Sequence, residues 1–276
     1  MKTIIIPTDF SPASTCAMNY GVDMAKQVGA SVLLFHVYNV PVSMTDVPVL
    51  LVSTQELKKE AEAKINSMKA KVEHITSGAV KIYAEAKLGD VIDELETVCN
   101  KIKPFAVVMG SKGHSAAERV FFGSTTLSAI RQLTFPVIAV PTGKEYGTGI
   151  KKIGFACDFR DVVETTPADE INDIVKTFDA ELHVLNVDHN HRHFKAETPE
   201  QSMLLDTMLE GCKPTYDFID HEDIEDGINA FAETNNLDLV IAIPKKHKLV
   251  EKLFNASSTK QLIFQSHIPV MCIHEE

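Results

Sequence analysis

Residues 2–10 read Lys2-Thr3-Ile4-Ile5-Ile6-Pro7-Thr8-Asp9-Phe10, and residues 151–159 read Lys151-Lys152-Ile153-Gly154-Phe155-Ala156-Cys157-Asp158-Phe159. Both run from a basic residue through an apolar stretch to Asp-Phe, with Asp9 and Asp158 standing 149 positions apart. The match continues outward. Val32–Val37 (VLLFHV) answers Leu182–Val187 (LHVLNV), and Phe105–Gly110 (FAVVMG) answers Asp238–Ile243 (DLVIAI). Phe135–Val140 (FPVIAV) answers Ile268–Ile273 (IPVMCI), now with Pro136 and Pro269 only 133 positions apart. The chain is therefore a duplication. Its second copy is 16 residues shorter, the difference between the two offsets, with the loss between its second and fourth strands.

Each copy alternates short apolar runs with amphipathic stretches. Runs buried on both faces mark strands of a parallel sheet. In the first copy they predict strands over 3–7, 31–37, about 80–86, 105–109 and 137–140. Ser11 is placed to cap a helix reaching about Gly29, with Met18, Val22 and Ala25 on its inner face. Glu56–Val72 and Val91–Ile102 carry helical periodicity as well, the latter through Ile92, Leu95 and Val98. The expected fold is α/β: two tandem doubly wound, Rossmann-like domains, each with a five-stranded parallel sheet, packed as a pseudo-dimer. Residues 1–142 are expected to form the first domain, 143–150 the linker, overlapping the glycine-bearing stretch Pro141–Gly149, and 151–276 the second domain.

The length of 276 residues, 45% apolar and 24% charged, suits two globular domains. No apolar run nears the roughly 20 residues of a spanning helix, and no signal-peptide pattern opens the chain. Cytoplasmic residence, away from any membrane, is expected. Five cysteines without a CxxC pair read as reduced thiols. Burial is expected of Cys16, Cys99 and Cys272, while Cys157 falls at a strand end in the second copy. Net charge is −11, split as +1 over residues 1–150 and −12 over 151–276. An acidic half argues against nucleic acid as a partner.

Ligands of doubly wound sheets sit beyond the carboxyl ends of the strands, at the switch point in strand order. After the fourth apolar run the chain reads Gly110-Ser111-Lys112-Gly113, and then Gly123-Ser124-Thr125 opens a helix. Glycines admit close backbone approach, and a helix start offers free N–H groups and a favourable dipole to an anion. Glycines after a strand can also simply turn the chain. Asp9, at the end of the first strand, can accept hydrogen bonds from ribose hydroxyls, or it can cap the first helix beside Ser11.

The spacing G-x2-G-x9-G-[ST] resembles the nucleotide-binding signature of the universal stress protein family. The opening Ile6-Pro7-Thr8-Asp9-Phe10-Ser11, the His36-Val37 strand end, the Met109-Gly110-Ser111 junction and the closing Pro136–Pro141 are similar to that family too. The resemblance covers both copies. It implies adenine nucleotide binding in the first, with Asp9 on the nucleoside and the Val37 backbone on adenine. Gly110, Gly113, Gly123, Ser124 and Thr125 would hold ribose and phosphates, with Pro7, Thr8 and Met109 flanking. ATP is the expected ligand, or AMP or ADP, with Mg²⁺ as the accompanying ion. The resemblance also implies pairing through the last strands, Val137–Val140 with Val270–Ile273 inside one chain, and homodimerisation of whole chains.

The second copy departs at the site. Gly110, Gly113 and Gly123 become Ile243, Lys246 and Ala256, while Ser124 persists as Ser257. Side chains then fill the space that glycines leave, so no nucleotide is expected there. Lys245-Lys246-His247-Lys248 reads as a solvated basic loop rather than an anion site. His189, His191 and His193 alternate as zinc ligands would on an extended chain, but with Arg192 between them and no cysteine near they read as a polar surface loop. No catalytic residue is assigned. GxxxxGK[ST], GxSxG and HExxH are all absent, and no water-orienting group can be named beside Asp9. The expected role is a stress-response regulator that binds nucleotide. The alternatives are a nucleotide-independent scaffold or a slow ATP hydrolase.

Overall fold

Ile4, Ile5 and Ile6 are all fully buried, and they divide between two cores. Ile4 and Ile6 face one apolar cluster while Ile5 faces the other, because successive strand side chains point to opposite faces. A strand covered on both sides belongs in the middle of a parallel sheet. The computed structural model describes residues 2–40, 53–111, 124–189, 196–244, 262 and 266–275. In its first half the order is β1 (Thr3–Pro7), α1 (Pro12–Val28), β2 (Ser31–Tyr38), α2 (Thr54–Ile75), β3 (Ile82–Leu88), α3 (Val91–Ile102), β4 (Ala106–Gly110), α4 (Ser124–Gln132) and β5 (Val137–Val140). In its second half it is β6 (Lys152–Ala156), α5 (Val162–Thr165), α6 (Ala168–Phe178), β7 (Glu181–Val187), α7 (Thr198–Met208), β8 (Thr215–Ile219), α8 (Ile224–Thr234), β9 (Leu239–Ala242) and β10 (Val270–Cys272).

The strands form one ten-stranded sheet in the order β3-β2-β1-β4-β5-β10-β9-β6-β7-β8. Neighbours within each half are parallel. At the centre β5 and β10 run antiparallel, with Met271 opposite Ile138. The fold is α/β and doubly wound in each half, and the two five-stranded sheets are continuous.

Local chemistry explains the elements. The Ser11 hydroxyl accepts the Ser14 N–H at 3.2 Å and Pro12 occupies the first turn of α1, where its missing N–H costs nothing. Asp90 caps α3 by accepting from Ile92 N–H at 2.8 Å. β3 begins at Ile82, two residues later than its apolar pattern suggests. As an edge strand it is only partly buried, unlike the expected doubly covered run.

The second half departs from the first in two places. Between β2 and β3 lie 43 residues, and between β7 and β8 lie 27. The 16-residue deficit is thus confined to this connection, where the covering helix shrinks from 22 residues in α2 to 11 in α7. The first helix is also broken. α1 is continuous, whereas Thr166 is extended between α5 and α6 because Pro167 forces its predecessor out of helical geometry.

Residues 141–150 do not hang free between the halves. Tyr146 stands edge-on to Tyr20 at 4.9 Å and its hydroxyl donates to Gln27. The Ile150 N–H donates to the same Gln27 oxygen at 3.2 Å. Cys16 Sγ lies 3.5 Å from the Lys144 carbonyl oxygen. The connection is a strap laid along α1.

Candidate functional site

The strand order reverses between β1 and β4, since β2 and β3 lie to one side of β1 while β4 and β5 lie to the other. Side chains beyond the carboxyl ends of these strands cannot all fill the diverging space, and a crevice results. A cavity of about 150 Å³ occupies it. Pro7, Thr8 and Asp9 contribute from the end of β1, Phe35 and Val37 from β2, Met109 and Gly110 from β4, and Thr125 from the start of α4. Seven of the candidate residues therefore meet at one cavity. Ser124 is exposed and is not among its lining residues. Gly113 and Gly123 lie outside the described residues.

Sequence reasoning missed Ser11, Ala13, Ser14, Phe35, Val91 and Thr126, which also line the cavity. Ser11, Ala13 and Ser14 belong to the start of α1, Val91 opens α3, and Thr126 lies in the first turn of α4. Three helices thus begin at the cavity. Each brings N–H groups without intrahelical partners and the positive end of a dipole, which favours an anionic ligand. Thr126 is buried and donates to the Gly110 carbonyl oxygen at 3.0 Å, tying α4 to the end of β4.

Gly110 turns out to serve packing. A Cβ there would stand 2.6 Å from the Ala13 carbonyl oxygen, so the bare backbone lets α1 begin directly over β4. In the second half the corresponding Ile243 packs against the cluster holding Phe159 and Val162.

The β1–α1 turn is held by a closed set of hydrogen bonds. Thr8 N–H donates to the Phe35 carbonyl oxygen at 2.8 Å and Thr8 Oγ1 accepts Phe10 N–H at 3.0 Å. Asp9 Oδ1 accepts Ser11 N–H at 3.0 Å. His36 Nδ1 meets the Thr8 carbonyl oxygen at 2.8 Å. Phe10 adopts φ +63°, a left-handed conformation costing a non-glycine residue roughly 1–2 kcal/mol, which these bonds offset. Burial pushes the Asp9 carboxyl up, but hydrogen bonds from Ser11 and Ser14 outweigh it and hold the group below the usual carboxylate range. Asp9 is therefore an anion at neutral pH. The helix cap is Ser11, and Asp9 instead closes the turn that precedes it.

Chemically, the cavity offers apolar walls in Val37, Val91 and Met109, one fixed carboxylate at the start of α1, and the starts of α3 and α4. Among the described residues no group of three His, Cys, Asp or Glu side chains is placed to hold a metal ion. His189 Nδ1 is 2.9 Å from Asp220, while His191, His193 and Lys245–Lys248 fall outside the described residues. Cys99 and Cys272 are buried, and burial pushes each thiol up to about 12. Cys157 is half-buried, with Phe159 N–H 3.4 Å from its sulfur. Among the described residues no helix is long and apolar enough to cross a membrane.

The fold and cavity define a doubly wound α/β protein with a crevice at the switch point of its first half. The model of the universal stress protein family matches residues 1–141, and the chain belongs to that family. Universal stress protein MJ0531 of Methanocaldococcus jannaschii is 29% identical over 146 residues, covering 52% of this chain and 84% of that protein. Universal stress protein MJ0577 of the same organism is 26% identical over 160 residues, covering 50% and 94%. Each of these relatives spans about half of the present chain, as a duplication requires. A solved universal stress protein from Archaeoglobus fulgidus DSM 4304 aligns over 99% of this chain and 98% of its own, with a TM-score of 0.75 at 20% identity. It shares the fold of both halves.

Proposed function

We propose that the first half binds an adenine nucleotide, ATP or its di- or monophosphate, in the crevice between β1 and β4. The observation that carries this reading is the pairing of ionised Asp9 with the starts of α1, α3 and α4 around one cavity. A fixed carboxylate repels phosphate and accepts from hydroxyls, so the nucleoside belongs on the Asp9 side. The phosphates belong towards the start of α4, with Gly113 and Gly123 completing their cradle. Val37, Val91 and Met109 give the base an apolar slot. Asp9 is a single carboxylate already engaged by Ser11 and Ser14, so Mg²⁺ would arrive on the phosphates rather than in a protein cage. Bound nucleotide then acts as a regulatory ligand in a cytoplasmic stress response.

The second half, residues 151–276, is read as a pairing and interaction domain with a degenerate site. The filled Gly110 position at Ile243 and the broken α5–α6 start support this. Homodimerisation of whole chains is part of the same reading, checked by light scattering.

Native mass spectrometry of freshly purified protein, followed by titration calorimetry with ATP, ADP and AMP, tests the assignment. One nucleotide per chain is expected, with an affinity loss above about tenfold in Asp9→Ala. Absence of heat with all three nucleotides at millimolar concentration overturns it, and two sites per chain overturn the degenerate reading of the second half.

A further inference from the structure

The two halves build the same turn with different side chains. In the first, His36 Nδ1 meets the Thr8 carbonyl oxygen at 2.8 Å. In the second, Asn186 Nδ2 donates to the Cys157 carbonyl oxygen at 2.9 Å, at the equivalent point of the strand. A carbonyl only accepts, so His36 carries its hydrogen on Nδ1. The downstream bonds also recur. Phe159 N–H reaches Cys157 Sγ at 3.4 Å and Arg160 N–H reaches Asp158 Oδ1 at 3.1 Å. Phe159 takes φ +51° where Phe10 takes +63°.

The packing around these donors was exchanged while the donor itself was kept. His36 lies opposite Ala86 in the β2–β3 register, and Asn186 lies opposite Phe218 in β7–β8. Phe10 packs on the His36 ring at 4.6 Å, whereas Phe159 packs on Phe218 at 5.9 Å. The aromatic partner of the left-handed Phe thus moves from one strand to the next. A side-chain N–H aimed at the carbonyl before the Asp is what both solutions share.

We infer that His36 is a positioning residue for the nucleotide site, acting through the Thr8 carbonyl to hold the turn that presents Asp9. The ring of His36 is dispensable and its Nδ1–H is not. The ligand part of this inference rests on the nucleotide reading above, whereas the turn part can be read without ligand.

The test compares His36→Asn, which keeps a donor and loses the ring, with His36→Phe, which keeps a ring and loses the donor. Amide exchange at Phe10 and Ser11 is followed in ligand-free protein, and ATP affinity by calorimetry. His36→Phe is expected to speed exchange at both amides about tenfold and to weaken ATP about tenfold, the effect of one lost hydrogen bond. His36→Asn is expected to stay within about threefold of the parent in both. Unchanged exchange in His36→Phe, or an equal loss in His36→Asn, overturns the inference. If His36→Phe does not fold, Asn186→His against Asn186→Leu makes the same comparison at the Phe159 and Arg160 amides. Faster exchange in Asn186→Leu alone then supports the inference, and unchanged exchange there, or an equal rise in Asn186→His, overturns it. Parent protein that binds no ATP while exchange follows the expected pattern rejects the nucleotide reading and leaves the turn assignment standing.

Discussion

The Ala13 carbonyl oxygen lies 2.6 Å from the point a Cβ on Gly110 would occupy. The obstacle is backbone, so it cannot swing aside, and any side chain at 110 must push the start of α1 away from β4. Gly110→Ala should destabilise the protein by roughly 1–3 kcal/mol, in the range of overpacked cores. Chemical denaturation measures this loss. Because Ala13 and Ser14 also line the cavity, the same variant should bind nucleotide more weakly.

Asp9 gives a pH dependence with a defined sign. Its folded-state pKa lies below the unfolded value of about 3.9. Its contribution to stability is therefore present in full above that value and is lost as pH falls through the lower, folded one. Asp9→Asn should narrow the stability gap to the parent as the pH drops below about 4. A gap that is constant from pH 7 to pH 3 would contradict the assignment.

The strap on α1 depends on Gly149. Its φ is +104°, and a Cβ there would meet the Gln27 side-chain oxygen at 2.7 Å. Gly149→Ala combines backbone strain with loss of the Gln27–Ile150 hydrogen bond, and should cost about 1–3 kcal/mol in thermal denaturation.

Met271 and Ile138 face each other across the central antiparallel pair, both fully buried. The two apolar clusters each contain residues of both halves, so the halves should unfold together in one calorimetric transition. Met271→Asp buries a charge at the seam and should separate this into two transitions or lower the midpoint steeply.

Thiol reactivity should follow burial. Cys99 and Cys272, with thiols pushed up to about 12, should resist a disulfide reagent at pH 8 until the protein is denatured. Rapid native labelling of either would contradict the described core.

Much of this architecture is carried by local pattern. The apolar triplet Ile4–Ile6 and its repeat at Ile153–Phe155 mark the central strands, because burial on both faces demands an unbroken apolar run. Ser11 announces the start of α1 through its capping oxygen. Asp9 could be named for the cavity because it ends a strand at the switch point of a doubly wound sheet, Thr125 because it opens a helix after a glycine loop, and Val37 and Met109 only through the resemblance to the family. Contacts between residues far apart in the chain set the rest. That Gly110, besides lining the cavity, leaves room for the Ala13 carbonyl depends on where α1 lands on β4, and no local spacing encodes that landing. His36 and Asn186 look unrelated along the chain, yet both place an N–H against the same carbonyl. Their common task exists only once β2 lies beside the end of β1, and β7 beside the end of β6. The chain alone determined a duplicated α/β protein. The tertiary structure decided which side chains close the cavity and joined the two sheets at Ile138 and Met271, because both depend on distances between segments rather than on residue order.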